Sequence, residues 1–500
     1  VSLHDLPVVV VGAGMGGLAA AIDLARRGAR VTVVDKQPAP GGKMRHVMVD
    51  GVGIDGGPTV FTMRWIFDGL LEAAGTSLEA ELTIVKAEVL ARHAWTSGGR
   101  LDLFADIDRS ADAIGSFAGA ADAAGFRAFC ARAREVYDTL RGPFIASQRP
   151  SPLGLIQRVG IGNLGAMLRT TPFQTLWAAL GTHFQDQRLQ QLFGRYSTYV
   201  GSSPFRTPAT LMLVAHVEQD GVWLVKGGMH AVAVALQRVA ERLGATFRFE
   251  APVARIVLRD GRVSGVQLAS GERLEAAAVV FNGDVSALGR GLLGEDVVRA
   301  APVTRRKHRS LSAQTWCVRA ATSGFPLDHH NVFFSTDNAQ EFDAVFSRRS
   351  VCAQPTVYLC AQDRGAVPTA RAGTPERMLL LINAPADGDV APMAETEVET
   401  LRQRADGVLR ACGLFLDWSA GAAVATGPAG FGALFPGTGG ALYGRANHGP
   451  FATFARSGSA SAIPGLYLAG GSVHPGPGVP MAAMSGRLAA ARLLEDSAQR

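Results

Sequence analysis

The stretch Val8-Val9-Val10-Val11-Gly12-Ala13-Gly14-Met15-Gly16-Gly17 decides the fold. Four consecutive valines read as a strand buried on both faces. Gly12, Gly14 and Gly17 make a G-x-G-x-x-G loop, and Leu18–Arg27 reads as a helix stopped by Gly28. Val31–Val34 is the next strand, with Asp35 at its end. An acid about 20 residues beyond such glycines completes a dinucleotide-binding βαβ unit. Gly12 permits the tight turn, Gly14 leaves room for a pyrophosphate, and Gly17 lets helix and strand pack closely. The pyrophosphate would lie on free N–H groups at the helix N-terminus. Asp35 would accept from ribose hydroxyls and repel a 2′-phosphate, so the reading is FAD or NAD rather than NADP.

The same spacing recurs at Gly160, Gly162 and Gly165, and at Gly289, Gly291 and Gly294. No strand leads directly into either, so both read as loop glycines and one dinucleotide site is expected. The 500 residues are 47% hydrophobic and 18% charged, with net charge +6. No apolar run reaches the ~18 residues of a spanning helix. The apolar composition suits a large buried α/β enzyme, or one with a surface for a lipid-soluble ligand. No basic–aromatic pattern suggests nucleic acid. The five cysteines are odd in number and lack a C-x-x-C, so neither a disulfide framework nor a zinc site is expected, and a reducing compartment is. There is no H-E-x-x-H, no G-x-S-x-G and no Walker loop. No cleavable leader is expected.

Further along, Gly41-Gly42-Lys43 and Gly51–Val60 are Gly-rich turns close behind the fingerprint, expected to approach the cofactor. Ile66–Ala74 reads as helix, Glu81–Phe104 as short strands, and Ser110–Leu192 as helical. Within it, Pro152–Phe193 carries Leu153, Leu155, Ile156, Ile161, Leu164, Met167, Leu168, Phe173, Leu176 and Trp177, with Arg158 and Arg169 between them. It reads either as a substrate lid or interfacial helix pair, or as a helical cap with its own core. A helix is expected from His230, an Asp260-Gly261 hairpin after it, and a buried strand over Leu274–Phe281. Strands at Gln314–Arg319, Asn331–Ser335, Val357–Cys360 and Met378–Asn383 suggest a second, antiparallel sheet. Glu395–Cys412 reads as helix. At the far end, Gly465-Leu466-Tyr467-Leu468-Ala469-Gly470-Gly471 reads as a short strand running into glycines. The turn Ser472–Pro480 then leads a helix from Met481, with Pro480 at N1 and its dipole aimed at the flavin.

Together these residues resemble the bacterial phytoene-desaturase-type carotenoid desaturases, nearly end to end. Gly12–Gly17, Gly41-Gly42-Lys43 and Asp55-Gly56-Gly57-Pro58-Thr59 resemble the family's N-terminal FAD segments. Tyr199–Pro204 and His329–Phe334 resemble its middle tracts, and Leu466–Pro480, with His474-Pro475-Gly476, its C-terminal signature. Within the family, His216–Trp223, Tyr358–Gly365 and Val479–Ala483 are most similar to the 1-hydroxycarotenoid 3,4-desaturases, the hydroxyneurosporene or methoxyneurosporene dehydrogenases. Asp35 stands where the family more often has Glu.

The resemblance implies a discontinuous FAD-binding Rossmann-like α/β domain of residues 1–105, 220–300 and 430–500. The substrate, membrane-facing domain of helices and an antiparallel sheet would be 106–219 and 301–429. It implies FAD contacts at Gly12, Gly14, Met15, Gly16, Gly17, Asp35, Lys36, Gly41, Gly42, Lys43, Gly57, Pro58, Thr59, Val253, Gly470, Gly471, Val479, Pro480 and Met481. The implied reaction is loss of hydride from an allylic carbon of an acyclic carotenoid to the flavin, then of a proton from the neighbouring carbon. The polyene delocalises the developing charge, so no catalytic base is assigned. Arg195, Tyr196 and Tyr199 are the polar residues beside the middle tract that would face the substrate, the tyrosines rather as packing. Expected partners are a carotenoid, a membrane lipid surface on the cytoplasmic side, and an electron acceptor such as oxygen or a quinone. Three alternatives stay open. One is a phytoene desaturase. Another is a flavin amine oxidase, for whose aromatic cage only Tyr443 is in evidence. The last is a non-catalytic lipid binder like the Rab GDP-dissociation inhibitors, whose pyrophosphate loop is eroded where this one is intact.

Overall fold

A computed structural model describes residues 6–160, 165, 170–365, 373–419 and 422–499. The valine run forms the strand Pro7–Val11 at the centre of a parallel five-stranded sheet. Its neighbours are Arg30–Val34 and Ala278–Phe281, flanked by Thr246–Arg248 and Leu466–Leu468. Alternation explains why every valine is apolar. Val8 and Val10 pack into a core with the helices Met15–Ala25, His230–Arg242 and Val479–Ala498. Val9 packs on the opposite face, under the three-stranded antiparallel sheet of Val253–Arg259, Arg262–Leu268 and Arg273–Glu275. The expected single strand Leu274–Phe281 is therefore two strands in two sheets, broken at Ala276-Ala277.

A second sheet has seven strands, in the order Ala423–Thr426, Ser312–Ala320, Glu376–Ala384, Val357–Ala361, His330–Phe334, Val89–Trp95, Arg100–Phe104. It is antiparallel except where His330–Phe334 runs parallel to Val89–Trp95. Residues 89–104, expected with the dinucleotide-binding half, thus hydrogen-bond into the other sheet. A boundary at 105 cuts between this hairpin and the strands it pairs with. The pairing partner lies some 240 residues away, which no local pattern encodes.

The stretch Pro152–Phe193 divides between its two readings. Leu176, Leu180, Leu189, Leu192 and Phe193 are buried with Phe126 and Phe129 in a helical core of their own. Trp177 lies against Phe205, with ring centroids 4.6 Å apart. Leu153 and Phe173, by contrast, are 73% and 74% exposed. Gly162, Ile161, Leu164, Met167, Leu168 and Arg169 lie outside the described residues. Gly160 ends the helix Pro152–Val159 and Gly289 the helix Val285–Gly289. Gly291 and Gly294 sit in the turn after it. No helix of the described residues is long and apolar enough to cross a membrane.

The two ends of the chain meet at the fingerprint. The helix Val479–Ala498 crosses Met15–Ala25 so closely that a Cβ on Gly486 would lie 1.9 Å from the Gly16 carbonyl oxygen. Beside this contact Arg487 donates to Asp23, which is 5% exposed, and to the carbonyls of Ile66 and Gly69. With Gly478 as N-cap, Pro480 stands at the second helical position rather than the first. Gly486→Val is expected to cost ~3 kcal/mol or more by overpacking. Thermal unfolding should then begin several degrees lower, whereas an unchanged melting curve would contradict this packing.

Candidate functional site

The strand ends of the parallel sheet open into a cavity of about 890 Å³. Of the residues the sequence put at a cofactor, all but Gly17 line it. Gly17 serves packing instead: a Cβ there would lie 2.0 Å from the Gly12 carbonyl oxygen. Gly12 itself has φ +104°, in the region glycine favours. Gly41 donates to the Ala13 carbonyl, so the second Gly-rich turn lies directly on the first.

Asp35 lines the cavity and also holds backbone. Its carboxylate accepts from Ala13 N at 2.7 Å and Gln37 N at 2.8 Å, which pins the loop to the second strand. The shorter side chain suits that bond, and a carboxylate keeps lone pairs for further donors. Burial raises its pKa against these two backbone donors. Lys36 reaches the Ala433 carbonyl. Lys43 is enclosed, donates to the Leu442 carbonyl, and is pushed down in pKa by burial although Asp284 attracts it.

Several residues here were not assigned by the sequence. Asn282, at the end of Ala278–Phe281, donates to the Gly12 carbonyl at 3.2 Å, and its amide is the nearest neighbour of any Cβ built at Gly14 or Gly16. Its place directly after the strand expected over Leu274–Phe281, at the start of Asn282-Gly283-Asp284, is the only signal in the sequence. Arg456, lowered to about 10 by burial, donates to the carbonyls of Tyr443, Arg445 and Gly471 and so ties the last segments together. Asp55 caps a distant helix. Its carboxylate accepts from Met229 N at 2.6 Å and His230 N at 3.2 Å, and Gln362 brackets its backbone from the second sheet. His474 is structural, with its ring 2.9 Å from the Ser147 carbonyl oxygen and 3.0 Å from that of Phe144.

Beyond the Gly-rich walls the cavity runs between the seven-stranded sheet and the helices. Leu140, Phe144, Leu155, Leu213, Val214 and Val217 make it apolar. A polar collar crosses it. Arg195 lies over the Tyr199 and Tyr358 rings, at 5.6 and 5.3 Å. Tyr199 and Tyr196 donate to the two oxygens of Glu218 at 2.6 and 2.7 Å. Tyr358 OH contacts Thr59 at 2.6 Å and His330 Nδ1 at 2.8 Å. Burial raises Glu218 and Tyr199 and depresses His330. Arg195 and Tyr199 line the cavity and Tyr196 does not, so packing describes Tyr196 alone. Glu218 and Tyr358 lie inside tracts that carried the resemblance, but nothing local marked their roles.

The geometry fits a dinucleotide. Met15 and Gly16 bring the open end of a helix to the cavity wall, the Gly14–Gly41 contact leaves no side chain between loop and ligand, and an acid closes the ribose side. Where the far helix begins, Val479-Pro480-Met481 and Lys43 line the same cavity, a setting that favours negative charge on a bound group.

Comparisons with known proteins agree. The chain is 55% identical to a hydroxyneurosporene desaturase of Rubrivivax gelatinosus over 97% of this chain and 93% of that one. It is 44% identical to a hydroxyneurosporene desaturase of Cereibacter sphaeroides over 99% and 98%. The structure of cyclohexylamine oxidase from Brevibacterium oxydans superposes with a TM-score of 0.57 at 18% identity, covering 99% of this chain and 100% of that one. Residues 15–494 match the model of the flavin containing amine oxidoreductases. The cofactor is FAD, and the chain belongs to the flavin-containing amine oxidoreductase family.

Proposed function

We propose that the protein desaturates the C3–C4 bond of an acyclic carotenoid bearing a 1-hydroxy or 1-methoxy group, using FAD. The observation that carries this is the single, mainly apolar cavity whose lining includes the Gly-rich loops, the polar collar and the exposed Phe173 and Phe451. A soluble amine would need a polar path to the flavin, whereas the walls away from the collar are mainly aliphatic and aromatic. A non-catalytic lipid binder would not need the pyrophosphate loop, which is complete here.

FAD, when bound, takes up the hydride that an allylic carbon loses. Met15 and Gly16 would hold its pyrophosphate, Asp35 its ribose, and Gly57, Lys43, Gly471 and Val479 its ring end. The apolar walls exclude water and hold the polyene straight. Glu218 and Glu341 are buried carboxyls of the lining, placed to favour positive charge spreading along the polyene. Arg195 offsets part of that field and fixes the tyrosines. Proton loss from the neighbouring carbon follows from the acidity of the conjugated cation, for which a weak acceptor suffices. Turnover would need an external acceptor such as oxygen or a quinone.

We also propose peripheral association with the cytoplasmic face of a membrane. Phe173 and Phe451 both line the cavity and are 74% and 58% exposed, which marks a mouth. Their rings are 6.2 Å apart, and Leu153, next in sequence to the lining residue Pro152, is exposed as well. Such a rim suits insertion among acyl chains, where a carotenoid is dissolved. The five cysteines are free, as in a reducing compartment.

Three outcomes are expected. Flavin-loaded protein given phytoene, neurosporene and 1-hydroxyneurosporene in vesicles should lengthen the chromophore of the hydroxylated polyene fastest, read by absorbance and mass. Equal conversion of phytoene would identify a phytoene desaturase. Gly14→Val should leave the folded protein nearly colourless at matched concentration, and a fully yellow variant would contradict the pyrophosphate site. Leu153→Asp with Phe173→Asp and Phe451→Asp should reduce co-sedimentation with vesicles several-fold. Wild type that stays in the supernatant with anionic and neutral vesicles alike would refute membrane docking.

A further inference from the structure

If the substrate is the one proposed above, its hydroxyl must be recognised close to the reacting bond. Two C–C bonds and one C–O bond separate the oxygen on C1 from C3, so it lies within about 4 Å of that carbon. The partner therefore belongs at the flavin end of the cavity, not at the mouth.

Most polar groups of the collar are already engaged. Both oxygens of Glu218 accept from tyrosines, and Tyr358 OH is held between Thr59 and His330. One neighbouring cluster is not complete. Glu341, 1% exposed, lines the cavity from the short helix Asn338–Asp343. Its Oε1 accepts from Asn383 Nδ2 at 2.8 Å, and its Oε2 from Thr356 Oγ1 at 2.6 Å and Thr356 N at 3.1 Å. A carboxylate has about four acceptor positions, so one remains. Asn338 stands three residues before Glu341, on the same helix face, and also lines the cavity. Its Nδ2 is buried without a hydrogen-bond partner. A spare acceptor beside a spare donor, set in an apolar wall, is what a single hydroxyl fills.

The strands that hold the cluster are bonded, through intervening residues, to the Gly-rich wall. Asn383 pairs with Ala313 on the strand Ser312–Ala320. Leu311, just before that strand, accepts from Leu442 N, and the Leu442 carbonyl receives Lys43. Thr356 is one pleat from Tyr358, which bonds Thr59 of the Gly57-Pro58-Thr59 turn. Thr207 Oγ1 is another buried, unpartnered atom of the lining, but its segment is tied to Leu176 in the helical core.

We infer that Glu341 and Asn338 form the subsite for a tertiary hydroxyl at the end of the polyene, Glu341 accepting a hydrogen bond from its O–H and Asn338 donating one to its oxygen. Burial raises the Glu341 carboxyl, opposed by the Thr356 and Asn383 hydrogen bonds and the Arg195 charge. A methoxy group can only accept, so it satisfies Asn338 and leaves Glu341 open. An unsubstituted end leaves both open, and a site built around a hydroxyl rejects such an analogue strongly.

The test uses the flavin-loaded protein and three probes: 1-hydroxyneurosporene, 1-methoxyneurosporene and neurosporene. Affinity is read from tryptophan fluorescence quenching, and kcat/KM from the new chromophore. Wild type should favour the hydroxylated probe over neurosporene by at least tenfold, with the methoxy probe between. Glu341→Gln and Asn338→Leu should each reduce that preference about tenfold, and Glu341→Gln should remove the distinction between hydroxy and methoxy. Flavin content and melting temperature establish that each variant is folded, and Asn338→Leu serves where Glu341→Gln disturbs Asn383. Folded variants that keep the wild-type preference within twofold overturn the subsite and leave the proposed function standing. Wild type with no preference for the hydroxylated probe overturns the proposed function and the subsite together.

Discussion

The structure depends on backbone meeting backbone where no side chain fits. At Gly12–Gly17 the loop is caught between the strand end, the second Gly-rich turn and the C-terminal helix. Asn282 reaches the Gly12 carbonyl, Gly41 donates to Ala13, and Gly486 rests on the Gly16 carbonyl. Such contacts bring residues from the first 45 positions and the last 25 to one wall of one cavity. They also leave N–H groups, rather than side chains, facing the ligand, which is the chemistry a pyrophosphate needs.

The second constraint is the cost of polar groups in an apolar cavity. An enclosed carboxylate or guanidinium is tolerated only with partners. Glu218, Arg195, Tyr199 and Tyr358 meet that demand among themselves, with Thr59 and His330 at the edge. The collar couples the Gly57-Pro58-Thr59 turn of one half to the seven-stranded sheet of the other. It therefore fixes the substrate wall relative to the cofactor wall.

The parts written in local patterns were legible from the sequence. The valine run with its glycines and Asp35, the Asp260-Gly261 hairpin and the terminal strand–loop–helix all have short-range signatures, and each element is present, the terminal helix starting two residues early at Val479. The parts that depend on distant pairing were not. Val89–Trp95 joins His330–Phe334, Asp55 caps a helix 174 positions on, and Glu341 meets Thr356 and Asn383 across a turn and two strands. A lone Glu in Gln340-Glu341-Phe342 looks like a solvated helix residue until the sheet closes over it. The Pro152–Phe193 stretch shows the same limit, since apolar spacing cannot tell a buried Leu176 from an exposed Phe173.

The central claim is that a polyene bound in this cavity gives up hydride directly to the FAD held by the Gly-rich loops. Anaerobic mixing of the flavin-loaded protein with a slight excess of 1-hydroxyneurosporene tests it most directly. The account predicts that the oxidised flavin absorbance bleaches in step with the longer polyene chromophore, one double bond formed per flavin reduced. A longer chromophore with the flavin still oxidised, or no bleaching on any acyclic carotenoid, would contradict it.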